Sequence, residues 1–168
     1  MYLNRAIAIA VLAALPMAAL EIWSLSRVLT EFSRGGADAR ALVFLVLVQG
    51  GILIAIALGV MGAVWKRPGI SVLGTGLMFL EAVPLIFSFA WLAALCSGLF
   101  LLAARDTAPI RGASLVGARV IGSLAGLWAL AGVPSLIRAQ PLFLVFLEAA
   151  LWGVAVVGWW PAPEVAEE

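Results

Sequence analysis

ALVFLVLVQGGILIAIALGVMGAVW, residues 41–65, runs for 25 residues without an acidic or basic side chain and is followed at once by Lys66, Arg67 and Pro68. A helix needs about 20 apolar residues to cross a hydrocarbon layer of roughly 30 Å. The stretch therefore reads as a membrane span that ends where Trp65 and two basic residues meet the headgroups. Residues 82–104 and 120–137 are likewise free of acidic and basic side chains. Over all 168 residues 65% are hydrophobic and only 11% charged, and the mean hydropathy is +1.17. The expected fold class is all-α: a polytopic transmembrane helical bundle, with one transmembrane domain over residues 1–160. Residues 161–168 form an acidic, Pro-containing tail that is expected to be disordered.

The first span is expected over residues 6–25. Arg5 ahead of an apolar run also fits a signal peptide, but the small-x-small triplets Ala6-Ile7-Ala8 and Ala8-Ile9-Ala10 precede that run, which favours an uncleaved span. In the polar stretch 26–40, Arg27, Glu31, Arg34, Asp38 and Arg40 surround Gly35-Gly36. Leu25, Val28, Leu29 and Phe32 there have the spacing of either an interfacial helix or a continuation of the first span. Residues 69–104 pose the main choice, because as one helix they would measure about 54 Å, far more than the hydrocarbon thickness. Glu81-Ala82-Val83-Pro84 is placed to turn, and Pro84 suits the first position of a following helix. The preferred reading is six spans, with a short third over 69–80 and a fourth over 84–104; a single Pro-kinked helix would make five. A turn there also lifts Glu81 to the headgroups, away from the bilayer centre where an acid costs roughly 2.5–3.5 kcal/mol. The fifth and sixth spans are expected over 113–137 and 142–160, with Trp159 and Trp160 as interface anchors.

Six spans place both termini on one side. Arg5, Lys66, Arg67, Arg105, Arg111 and Arg119 fall on that side, six of the ten Lys and Arg, which favours cytoplasmic termini. Heavy use of Ala, Gly, Arg and Trp suits a GC-rich bacterial genome, hence a bacterial inner membrane.

A net charge of +1 gives no reason to expect nucleic acid as a partner. The chain has no His, and Cys96 is its only cysteine, so no metal site, haem ligation, disulfide or other cofactor is expected. Cys96 reads as a packing residue. Gly74-Thr75-Gly76 lacks the strand and helix that a phosphate loop requires. No serine has a histidine to activate it, so no catalytic residue is assigned and an enzyme is not expected.

Polar side chains inside spans are the candidate site, since the bilayer penalises an unsatisfied polar group by several kcal/mol. Gln49 and Glu148 each lie about 12 Å below the outer ends of their spans, with Glu21 near the outer end of the first span and Glu81 at the outer hairpin. One reading makes Glu148, Gln49, Glu21 and Glu81 an outward-facing pocket for a cation or proton. The preferred one is that Glu148 is protonated or hydrogen-bonded to Gln49 or a backbone carbonyl and joins two helices, since no basic residue lies at matching depth.

The strongest pattern is structural. Ser114, Ala118, Gly122 and Gly126 recur every four residues along the fifth span, as do Ala6, Ala10, Ala14 and Ala18 along the first. Small residues at this spacing let helix backbones approach closely in lipid, either within the chain or against a partner. In size, span count and Ala-rich first helix the chain broadly resembles the small substrate-capture subunits of vitamin transporters, a resemblance that brings no binding residues with it. The leading expectation is a non-catalytic accessory or structural subunit that joins other membrane subunits, or a second copy of itself, in the lipid bilayer. The alternative is a small transporter or solute-binding subunit built on the polar pocket.

Overall fold

The computed structural model describes residues 2–34, 39–82, 89–107, 109–136 and 142–160, and every regular element among them is a helix. In chain order these are α1 (Tyr2–Ser33), α2 (Ala39–Val64), α3 (Pro68–Glu81), α4 (Ala90–Thr107), α5 (Ala113–Leu136) and α6 (Leu142–Trp159). α1, α2, α4 and α5 are long and apolar enough to cross a membrane, whereas α3 and α6 are shorter apolar helices. The outer surface is apolar too: Leu12, Leu47, Leu73, Leu127 and Leu142 are each more than 60% exposed. Such a surface is a liability in water and the natural outside of a protein dissolved in lipid.

Neighbour relations define two rows of three helices, α1, α4, α6 above α2, α3, α5, each helix also touching the one opposite it. α3 and α4 occupy the middle of the rows and touch each other, so residues 69–104 form two helices and not one kinked span. The expected start of the fourth span at Pro84 lies outside the described residues, as does the acidic tail. α1 is a single helix running eight residues past the expected end at Leu25, which settles the choice between an interfacial helix and a continuation. Its polar end folds back on its own backbone: Ser26 Oγ donates to the Trp23 carbonyl, Thr30 Oγ1 to Ser26, and Arg27 lies 4.8 Å from the centre of the Trp23 ring.

The turn from α2 to α3 uses the two-bond stop common at helix ends. Arg67 N–H donates to the Gly62 carbonyl at 2.9 Å and Lys66 N–H to Ala63 at 3.4 Å, with Lys66 in the left-handed region at φ 55°. A glycine would adopt that angle freely, whereas a side chain there costs on the order of 1 kcal/mol. Pro68 then opens α3, where its missing N–H is not needed.

Two tight seams join neighbouring helices, one within a row and one between the rows. Between α2 and α3, a Cβ on Gly74 would stand 2.6 Å from the Gly59 nitrogen and 2.8 Å from the Ala55 carbonyl oxygen, and Ser71 Oγ donates to the Gly59 carbonyl at 3.2 Å. Between α5 and α6, a Cβ on Gly158 would stand 2.8 Å from both the Ala118 carbonyl oxygen and Gly122 Cα. Ala118, Gly122 and Gly126 thus face α6 inside the chain, and Ser114 lies beside Gly69 of α3. Ala6, Ala10 and Ala14 are buried and Ala18 half-buried, and α1 packs on α4 and α2. Cys96 of α4, fully buried, donates its thiol to the Ala13 carbonyl at 3.0 Å, as a packing residue would.

One face of the bundle carries Arg5, Arg105 and Arg119. Arg5 pairs with Asp106 at 3.2 Å, Arg105 donates to the Gly158 carbonyl at 3.3 Å, and Arg119 lies 5.6 Å from the centre of the Trp159 ring. These contacts join the start of α1, the end of α4, the first half of α5 and the end of α6, so the first and last helices end on the same face.

Candidate functional site

Away from that basic face, α1 and α2 part slightly and leave a cleft of about 210 Å³. Its walls are Ile22, Leu25, Val46 and Leu53, its floor includes Gly50, and its polar lining is Glu21 and Gln49. Both polar residues are deeply buried, only 5% and 6% exposed. Gln49 Nε2 donates to Ser24 Oγ at 2.8 Å, which holds the amide in place. Glu21 Oε2 and Gln49 Oε1 have no hydrogen-bond partner among the described residues. Among the described residues two acceptors, one of them a carboxyl oxygen, are therefore left over just beneath the surface of one apolar-walled cleft, where an unmade hydrogen bond costs about 1–3 kcal/mol each.

Glu81, the last residue of α3, adds a second acid. Its carboxyl rests on Gly51 of α2, where a Cβ would collide with it, and it lies within coulombic range of Glu21. The turn is expected to lift Glu81 to the headgroups; in the structure its carboxyl lies against α2 inside the bundle. α3 is only 14 residues, about 21 Å long. Glu81 consequently stops against α2 about 18 Å along from the start of that helix at Ala39. The short central helix brings its terminal acid into the bundle beside the first helix.

Glu148 is elsewhere. It lies on α6, where Oε1 accepts a hydrogen bond from Trp152 Nε1 at 3.0 Å. Oε2 faces α5 over Gly132, where a Cβ would stand 2.7 Å away. Glu148 does not line the α1–α2 cleft, and its donor is the indole one turn further along its own helix, not Gln49. The structure thus brings Glu21, Gln49 and Glu81 together and separates Glu148 from them.

Ser24, Gly50, Gly51 and Trp152 were not expected at either place. Ser24 and Trp152 had a legible signal, lying three residues after Glu21 and four after Glu148, on the same helix faces. Gly50 and Gly51 had none, because two adjacent glycines in a span do not reveal which neighbour comes close. No group of three or more acidic or cysteine side chains that could hold a metal ion occurs among the described residues.

The architecture and the site define an integral membrane protein of helical-bundle type. Compared with known proteins, the chain matches no family model, no curated protein and no solved structure.

Proposed function

We propose that this membrane protein binds a cationic solute at Glu21, within the bilayer, and acts as a small transporter or solute-binding subunit, not as an enzyme. The observation that carries the reading is that Glu21 and Gln49, two residues lining one cleft, each hold a buried oxygen, Oε2 and Oε1, with no hydrogen-bond partner among the described residues. An acid inside a membrane helix is retained against a cost of several kcal/mol, which favours a role that uses it. Glu81 adds negative potential, and among the described residues no basic one lines the cleft to neutralise it. The cytoplasmic side is read as the face carrying Arg5, Arg105 and Arg119, in keeping with the positive-inside rule, and the membrane as a bacterial plasma membrane. Glu21 lies about 24 Å along α1 from Arg5, which sets the cleft in the outer third of the hydrocarbon layer.

The test is thermal unfolding of the protein in nanodiscs, titrated with sodium, potassium and methylammonium. At least one cation should raise the melting temperature of the native chain and leave Glu21→Gln unchanged. If no cation does so, or if Glu21→Gln responds equally, the reading fails.

A second reading, an accessory subunit joined to other membrane subunits or to its own copy, has one observation on its side. α4 and α6 leave an apolar groove of about 320 Å³ floored by Gly98 and Gly153 and closed at one end by Trp91 and Phe146. The small-residue stripes of α1 and α5 lend it no support, since both are used inside the chain. Native mass spectrometry of the gently extracted protein tests this second reading, which expects a stoichiometric protein partner or a second copy and is overturned by a single chain.

A further inference from the structure

We propose that the solute of the α1–α2 cleft is a small organic ammonium ion with an apolar tail, taken up sideways from the lipid, with Glu21 as its counter-ion and Gln49 as its second acceptor. The inference rests on the cation-binding reading and narrows it to a chemical class.

Three features select that class. Among the described residues the unpartnered polar atoms of the residues lining the cleft are both acceptors, Glu21 Oε2 and Gln49 Oε1, buried just beneath its surface, and the Gln49 amide already donates to Ser24. They call for a ligand that brings donors and positive charge, which a primary ammonium supplies as three N–H groups on one cation.

The volume argues against a bare metal ion. A cavity of about 150 Å³ lined by aliphatic side chains holds a benzene molecule, so about 210 Å³ has room for roughly eight non-hydrogen atoms. A hard cation would instead need about six oxygen ligands at short range, and among the described residues no group of three or more Asp, Glu, Cys or His side chains is gathered to begin such a shell. The aliphatic walls suit an alkyl or aryl tail, and each methylene buried against them should raise affinity by up to about fourfold.

The third feature is the direction of access. Of the wall residues, Ile22 is 71% exposed, Val46 52% and Leu53 51%, all on the outer surface of the bundle. The cleft therefore opens between two helices toward lipid, with Glu21 and Gln49 partway along it between Val46 and Leu53. Gly50 leaves the floor open, since a Cβ placed there would meet nothing within 4 Å.

The experiment is isothermal titration of the full chain in zwitterionic nanodiscs with methylammonium, butylammonium, hexylammonium, hexanol and sodium, using the native protein, Glu21→Gln and Gly50→Leu. Size-exclusion and circular dichroism first establish that each variant is folded. Hexylammonium should bind roughly tenfold more tightly than butylammonium, hexanol should show no saturable binding, and Glu21→Gln should lose at least tenfold. Gly50→Leu should weaken hexylammonium more than methylammonium, because it fills the space of the tail and leaves the head group's partners in place. Equal binding of hexanol, or equal binding to Glu21→Gln, would mean partition into lipid and overturn the proposal. Glu21-dependent binding of sodium without hexylammonium would overturn it too, while leaving the cation-binding reading intact. Absence of Glu21-dependent binding by any cation would sink both. Should Glu21→Gln fail to fold, Gly50→Leu decides: unchanged chain-length dependence in that variant would overturn the proposal.

Discussion

Glu21 and Glu148 are both acids set among Leu, Ile and Val in apolar helices, yet their surroundings differ. On the α5–α6 side Glu148 has an indole N–H one turn away and a glycine notch to lie in, beside a seam in which Gly122 and Gly158 bring two backbones together. On the α1–α2 side Glu21 lines a cleft and keeps an oxygen with no partner among the described residues, as does the Gln49 amide, whose N–H side is held by Ser24. An acid in a membrane helix is therefore not in itself the mark of a site. What distinguishes the two is whether the fold has already supplied the partner.

The contrast is open to direct attack. The largest difference should come from neutralising each acid in turn. Glu21→Gln should lower affinity for the cation by at least tenfold, since it removes a charge-assisted contact, whereas Glu148→Gln should change it less than about twofold, being outside the cleft. Comparable losses in a titration of the two variants would mean that the halves are coupled and the contrast is false.

Next in size is the difference between a filled seam and an open floor. Gly158→Val should destabilise the bundle by about 3 kcal/mol, because the new side chain meets the α5 backbone. Gly50→Val should cost less than about 1 kcal/mol, since nothing occupies the space it enters. Reversible unfolding in mixed micelles measures both, and a larger loss at Gly50 would show that the cleft is closed in the membrane.

The smallest effect concerns hydrogen bonds. Trp152→Phe removes the donor to Glu148 and should destabilise by about 1 kcal/mol. Gln49→Leu removes an acceptor that was never satisfied, together with one bond to Ser24, and should stay within about 0.5 kcal/mol of the native protein. The same unfolding assay checks the pair, and the reverse order would mean that Gln49 has a partner in the bilayer.

Much of the fold could be read from charge-free runs alone. The spans at residues 41–65 and 113–137 correspond to α2 and α5, and the length argument that broke 69–104 in two is answered by α3 and α4 lying against each other. The stripes of α1 and α5 were legible because small residues recur every four positions there. The stripe of α2, Gly51, Ala55, Gly59 and Ala63, has the same spacing and went unread, although it forms the tight seam with α3. Of the candidate site, Glu21, Gln49 and Glu81 are grouped and Glu148 is not, a distinction that depth along a helix cannot make. Depth orders residues across the membrane, while grouping depends on which helices are neighbours.

By itself the sequence determined the solvent of this protein, its all-helical character, the positions of its basic face and the small set of polar groups that lipid leaves without water. These follow from local chemistry, because apolar run length and charge placement are fixed once the residues are. Tertiary structure alone decided that α1 lies beside α2 and far from α6, that the short α3 draws Glu81 inward onto Gly51, and that Trp152 satisfies one acid while another is left facing an open cleft. Such outcomes depend on contacts between residues distant in the chain, and no periodicity along one helix records which neighbour it will meet.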